Sequence, residues 1–389
     1  MERIYLDYAA TTPTDPAVVE AMQPYFFEKF GNPSSIHSFG QEAKKAMEEA
    51  RSKVASFLGA KEEEIVFTSG GTESNNFSLF GVVWANTAKG NHIITTALEH
   101  HAIIEPAKFL EKLGVKVTYV KPDKYGMVSP DDIAKEITDK TILISVMHAN
   151  NEIGTIQPIK EICRIAREKG IYFHTDAVQT VGHIPVNVND LNVDLLSLSA
   201  HKFYGPKGVG CLYIKKGTRL QPYLRGGGQE RHRRASTENI AGIVGLGKAI
   251  EICAQKMDSE AKEQARLRDK LITEIQKRID RTYLNGHPTS RLPNNVNLSI
   301  EFIEGESMLL NLDMVGIAAS TGSACTSGDL EPSHVLLAIG RPHELCHGSI
   351  RLTLGRFTKE TDIDRFLEVF PKIVSKLRAM SPLYDAKKS

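Results

Sequence analysis

Short apolar runs and amphipathic stretches alternate through the middle of the chain. Glu64–Thr68, His92–Thr95, Val115–Val120, Thr141–Met147, Ile171–Thr175 and Val193–Leu198 are rich in β-branched and aliphatic residues. Their length and composition predict buried strands. Stretches with helical spacing separate most of them, as in Ala102–Leu113 and Ile159–Lys169. This alternation predicts an α/β fold with a mainly parallel sheet covered by helices on both faces. Ahead of it, Asp15-Pro16 predicts a helix start and the pattern closes near Gly31, since Asp caps and Pro fits the first turn. A second helix places Ala43, Ala46, Met47, Ala50, Val54, Phe57 and Leu58 on one face and stops at Gly59. From Asn239 to Asp280 the pattern is almost wholly helical, a bridge to a second domain. Residues 296–380 read strand, helix, strand, loop, helix, strand, helix, which predicts a small α/β domain. The expected organisation is an N-terminal segment 1–15, a large domain 16–255 and a small C-terminal domain 256–389 with a loop at 320–329.

A chain of 389 residues suits roughly two or three domains. With 41% hydrophobic and 24% charged residues it has the apolar surface of a globular protein, which excludes a disordered one. Lys and Arg number 48 against 47 Asp and Glu, so neither nucleic acid nor an anionic membrane is an expected partner. The cluster Arg231-His-Arg-Arg234 is explained more cheaply by a cofactor phosphate or an acidic partner surface than by nucleic acid. No uncharged apolar run approaches the roughly 18 residues of a membrane span. The start, Met1–Asp7, lacks a basic stretch followed by an apolar one, so no secretory signal is expected. Five cysteines, an odd count without a C-x-x-C pair, suit a reducing, cytoplasmic setting.

Three strand ends carry candidate chemistry. Ser69-Gly70-Gly71-Thr72-Glu73 follows a strand and opens a helix. It is either an anion site, where glycines admit a ligand to free N–H groups, or a tight turn capped by Thr72. Ser199-Ala-His201-Lys202 follows another strand; Lys202 there can reach a ligand at the sheet's C-terminal edge or stand solvated. Asp176 ends a third strand, as a helix cap or as partner to a cationic ring nitrogen. Phosphate cradle, carboxylate and reactive amine together are the three groups that pyridoxal 5'-phosphate demands. Asn151, Gln179 and His100, each close after a strand, add polar groups at the same edge.

With these residues in view, the sequence resembles the NifS/IscS-type cysteine desulfurases among the fold-type I, aminotransferase-like enzymes. The likeness rests on Tyr5–Pro13, Gly31–Ser35, Gly71–Asn76, Met147–Gly154, Ser199–Lys202, Gly322–Ser327 and Ser349–Arg351, in the family's order. It implies that Lys202 carries the cofactor imine, that Asp176 pairs with the pyridine nitrogen, and that His100 stacks on the ring and assists proton transfer. Asn151 and Gln179 would contact the ring face or phenolic oxygen. Gly71, Thr72, Ser199 and His201 would hold the phosphate, with Thr237 reaching in from the second subunit of a homodimer. Arg351 and Asn32 would bind the carboxylate of the substrate, L-cysteine.

Cys325 is the distinguishing residue. It lies among small and polar residues in Ser320–Asp329, whereas a structural cysteine sits among larger apolar neighbours. The resemblance implies that its thiolate takes the substrate sulfur as a persulfide and leaves alanine. It would pass that sulfur to an iron–sulfur scaffold protein or another acceptor, and Cys325 would thereby be a candidate ligand of a cluster shared with the scaffold. Cys163, Cys211 and Cys253 fall in helix or strand patterns and are expected in the core. Two features depart from the family: Cys346 stands where it usually has Ala, and His232 and Ala235-Ser236 interrupt a Gly-rich stretch. His343-Glu344-Leu-Cys-His347 matches a zinc-protease signature. Pro342 and Gly348 leave too little helix for that chemistry, so no zinc is expected there.

Overall fold

The computed structural model describes residues 3–321, 331–382 and 384. Strands are numbered β1 (Ile4–Tyr5), β2 (Ile65–Thr68), β3 (His92–Thr96), β4 (Lys116–Val120), β5 (Thr141–Ser145) and β6 (Tyr172–Asp176). They continue as β7 (Leu195–Ser199), β8 (Gly210–Ile214), β9 (Thr282–Leu284), β10 (Asn295–Ile300), β11 (Ile317–Ala318) and β12 (Ser349–Thr353).

Seven strands form the central sheet in the order β2-β8-β7-β6-β5-β3-β4. Strand β8 is antiparallel to both neighbours and the remaining pairs are parallel. The stretch from 200 to 209 that joins β7 to β8 is shorter than the dozen or so residues a parallel crossover requires, so the chain turns back. Side chains alternate between two cores. Ile65, Phe67, Ile94, Ile144, Phe173 and Leu196 face one; Val66, Ile93, Leu143, Leu195 and Leu212 face the other. Both faces are therefore dry, which is why the strands read as unbroken apolar runs rather than alternating ones. Cys163, Cys211 and Cys253 are buried in the first core, as their patterns predict.

The helical pattern predicted to run from Asp15 to Gly31 is two helices, Pro16–Met22 and Pro24–Phe27. Pro24 has no N–H to donate and ends the first helix. The long helix Ile240–Arg278 buries Ile243, Leu246, Ile250 and Cys253 in the large-domain core and Leu267, Leu271 and Ile275 in a separate one. Residues 255 and 256 lie within it. The second core is built on the antiparallel sheet β12-β10-β9, with Phe366, Phe370 and Val374 of the helix Glu360–Met380 packed on it. The N-terminal segment ties the two cores together. Its strand β1 pairs in parallel with β11 and Leu6 enters the small core, while the Thr12 N–H donates to the carbonyl of His201 at 3.0 Å. Residues 7–11 thus cross from one core to the other. Among the described residues no helix is long and apolar enough to cross a membrane.

Candidate active site

A cavity of about 290 Å³ opens where that crossing passes the C-terminal ends of the sheet strands. Its lining includes Gly71, Thr72, His100, Asn151, Asp176, Gln179, Ser199, His201, Lys202 and Arg351. Open α/β sheets place their ligands at this edge because loops from adjacent strands converge there. A wider depression of about 500 Å³ beside Phe80, Phe109 and Tyr223 has no lysine among the described residues that line it.

Asp176 ends β6 at the floor. Its Oδ1 accepts the N–H of Val178 at 2.9 Å and its Oδ2 accepts from Asn75 Nδ2 at 2.6 Å. Asn75 is a residue that sequence reading missed. It lies in the motif Gly71–Asn76, but nothing local indicates that its side chain turns inward to a carboxylate 101 positions away. Lys202 follows β7 and projects Nζ to the carbonyls of Ala9 and Ala10, at 2.6 and 2.8 Å. Gln179 Nε2 donates to the same Ala9 carbonyl at 3.0 Å.

The helix Gly71–Asn86 begins at the cavity without a side-chain cap, so its first N–H groups are available to an anion. Gly70 has φ +152°, which glycine alone adopts readily, and Ser199 Oγ would stand 3.6 Å from a Cβ placed there. His201 Nδ1 meets Thr11 Oγ1 at 3.1 Å. Burial first, then the charges of Lys202 and Lys207, push its pKa down to about 4, so the ring is neutral. His100 caps the helix His101–Lys112, its Nδ1 accepting the N–H of Ala102 at 3.0 Å. Burial, reinforced by Lys202 and His101 against the pull of Asp176, lowers its pKa. The neutral ring therefore carries its proton on Nε2.

Arg351 comes from the small domain on β12 and is buried, with Nη1 donating to the Asn151 carbonyl at 3.2 Å and Nη2 to Asp7 Oδ1 at 2.9 Å. Glu152, next to Asn151, accepts the Ser333 hydroxyl, and burial pushes its pKa up to about 7 against the pull of Ser333 and Arg351. Ser320 pairs through its backbone with Arg351, and His334 reaches the Glu99 carbonyl at 3.0 Å. These contacts anchor the described residues on either side of 322–330. Cys325 itself lies outside the described residues.

Asn32 and Thr237 do not line this cavity. Both are exposed, and Asn32 Oδ1 accepts the N–H of Ser34 at 2.9 Å. The basic cluster is spent within its own chain. Arg231 and Arg233 donate to the carbonyls of Glu62 and Glu63, and Arg234 forms a two-pronged pair with Glu73. These partners replace the cofactor phosphate or acidic partner expected for it. Glu230, Arg231 and His232 take φ of 46°, 57° and 62°, and Ser236 takes 94°. Left-handed backbone costs about 1–2 kcal/mol for each non-glycine residue. The buried ion pair of Glu230 with Arg51, 2.7 Å, holds the turn in place. His343–His347 is a single five-residue helical turn with Cys346 buried in it.

Glu99 is a second residue the sequence did not reveal. Fully buried, it accepts from Thr96 Oγ1 at 2.8 Å and from the Met147 N–H at 3.0 Å. Burial pushes its pKa up to about 8, the nearby Asp176 charge adding to the shift. The folded state then holds a proton that the unfolded chain releases near its ordinary value, so this contribution to stability is full below about pH 4.5 and is lost as pH rises through about 8. Glu99→Gln cannot titrate. Its melting temperature relative to the wild type should climb as pH is raised from about 5 to about 9; a difference constant with pH would refute the assignment.

The chain matches the aminotransferase class-V family over residues 4–366. It belongs to that family. The cysteine desulfurase IscS of Dictyoglomus turgidum is 60% identical over 379 residues, covering 97% of this chain and 96% of that one. A solved structure described as a NifS-like protein superposes with a TM-score of 0.91 at 40% identity, covering 96% of this chain and all of the other. A second, SspA in complex with cysteine, has a TM-score of 0.81 at 36% identity over 92% of this chain and all of that one. The resemblance to IscS/NifS-type cysteine desulfurases therefore holds over nearly the full length, and the fold is that of the aminotransferase-like enzymes.

Proposed function

We propose that this protein removes sulfur from L-cysteine with pyridoxal 5'-phosphate as cofactor, leaving L-alanine and a persulfide on its own Cys325. The observation that carries the reading is the convergence of Lys202, Asp176, His100 and Arg351 on one cavity, in a chain 60% identical to a cysteine desulfurase. The residues fit the cofactor. An uncapped helix start offers N–H groups to a phosphate, Asp176 offers a carboxylate, and the buried Asn75 Oδ1 has no partner among the described residues.

When bound, the cofactor supplies an electron sink beside the substrate's α-carbon. The rest falls to the chain. Lys202 Nζ is the amine that would hold the cofactor covalently. The Asp176 carboxylate would keep the ring nitrogen protonated, because an opposite charge raises a cation's pKa. Asn75 and the Val178 N–H hold that carboxylate in position. Gly71, Thr72, Ser199 and His201 would offer N–H and hydroxyl donors to the phosphate, and Asn151 and Gln179 would frame the ring. His100 Nε2 bears the movable proton. Arg351 receives the substrate carboxylate through its planar fork. The thiolate of Cys325 attacks the substrate sulfur; the S–S bond forms as the C–S bond breaks. The electron pair stays on the substrate carbon, which is protonated and leaves in L-alanine.

Phe26, Phe27, Phe30, Ile36 and Phe39 are all at least half exposed. An apolar stretch of this kind fits a second copy of the chain, and Asn32 lies within it. A homodimer is thus the form in which Asn32 and Thr237 can meet a cavity. The free thiols of Cys163, Cys211, Cys253 and Cys346 suit a cytoplasmic location. The persulfide would pass to an iron–sulfur scaffold or another sulfur acceptor. With cofactor and L-cysteine, the protein should form L-alanine and reducible bound sulfur in equal amounts. A keto acid in place of alanine would identify an aminotransferase instead.

A further inference from the structure

The guanidinium assigned to the substrate carboxylate is already engaged by an anion of the chain itself. Arg351 is 2% exposed, and its Nη2 donates to Asp7 Oδ1 at 2.9 Å. Its Nε is buried with no hydrogen-bond partner among the described residues. A guanidinium has five N–H donors and receives a carboxylate best through two parallel ones. A buried donor without an acceptor is costly, so the vacant Nε marks the edge where a ligand oxygen belongs.

Asp7 does not depend on Arg351 for its position. Its backbone bridges to Thr353, two residues along the strand that carries Arg351. On either side, the Thr353 N–H donates to the Leu6 carbonyl at 2.8 Å and the Ala9 N–H to Thr353 Oγ1 at 2.9 Å. Tyr5 braces the same segment, its hydroxyl reaching the carbonyls of Asp7 and Thr11. The acid is therefore held against the guanidinium by strand register.

We propose that Asp7 is a built-in counter-anion of the substrate site: it shares Arg351 with the incoming carboxylate and sets how tightly that carboxylate binds. In the free enzyme it neutralises a buried cation. In the complex two carboxylates meet one guanidinium, and their repulsion weakens the ligand's hold. The site is thereby tuned to bind its amino acid loosely, which favours release of the product. The proposal rests on the reading of Arg351 as the carboxylate seat.

Asp7→Asn separates charge from shape, since the amide oxygen still accepts from Nη2. The test measures dissociation constants of L-alanine and of ethylamine, its counterpart without a carboxylate, from spectral titration of the holoenzyme. L-alanine should bind Asp7→Asn about tenfold more tightly, the size of a one-unit shift from a neighbouring like charge. Ethylamine should bind unchanged. Asp7→Glu, which keeps the charge, should stay within about twofold of the wild type for both. Unchanged or weaker L-alanine binding by Asp7→Asn, or equal shifts for both ligands, would overturn the proposal. Arg351→Gln tests the underlying reading separately: it should weaken L-alanine and spare ethylamine. If it leaves L-alanine binding intact, Arg351 is not the seat, whatever Asp7 does.

Discussion

Lys202→Ala is expected to abolish covalent attachment of pyridoxal phosphate and to lower alanine formation by roughly 10³-fold or more, as loss of a group that acts covalently does. Among the described residues that line the cavity, Lys202 is the one lysine. Its Nζ hangs from the Ala9 and Ala10 carbonyls, in the same cavity as Asp176, Asn151 and Arg351. Those carbonyls belong to the crossing segment, whose remaining bonds to Thr353 and His201 do not involve Lys202 Nζ. The variant should therefore fold and bind cofactor without the yellow colour of the lysine-linked form. Lys207 is the natural rival: it lines a neighbouring depression with Ser69, Gly70, Gly71 and Ser199. Borohydride reduction of the wild-type protein followed by peptide mapping decides between them. The label belongs on Lys202, and finding it on Lys207 would refute the assignment.

Cys325→Ala should leave cofactor attachment and L-cysteine binding intact while reducing alanine formation to background. The reason is a division of labour. The groups assigned to cofactor and carboxylate lie on the sheet edge and on β12, and none of them needs the thiol. No other cysteine can substitute: Cys163, Cys211 and Cys253 are sealed in the core, and burial pushes each thiol well above its ordinary pKa. A thiol is a nucleophile only as thiolate. Cys346, 21 positions along the chain, is the nearest competitor in sequence. It too is buried, with its pKa pushed up to about 11 and its thiol directed to the Arg341 carbonyl. Cys346→Ala should accordingly keep most activity. After one turnover, mass spectrometry should find the added sulfur on the Cys325 peptide. Sulfur on the Cys346 peptide, or normal turnover by Cys325→Ala, would show that the nucleophile lies elsewhere.

Much of the architecture was legible in the chain because burial on both faces of a sheet imposes a local composition. The runs at 65–68, 92–96, 141–145 and 195–199 announce themselves as strands because each residue in them is buried. Strand β9 went unseen, since Thr282–Leu284 is short and half exposed. The reversal of β8 depends on the length of a connection rather than on any residue pattern. The motifs Gly71–Asn76 and Ser199–Lys202 were readable because a tight turn and a strand end constrain neighbouring residues together.

The sequence by itself determined most of the elements, the cysteine loop's composition and the set of groups that pyridoxal chemistry requires. Each is a property of adjacent residues, written as period, turn chemistry or motif. Tertiary structure alone decided who stands beside whom: Asn75 on Asp176, the Ala9 and Ala10 carbonyls on Lys202, Ser333 on Glu152 and Asp7 on Arg351. Asp7 and Arg351 are 344 positions apart. Their meeting follows from the pairing of β1 with β11 and of Asp7 with Thr353. Such pairing results from closing both hydrophobic cores at once, and periodicity within one short segment carries no record of the distant segment it will pack against.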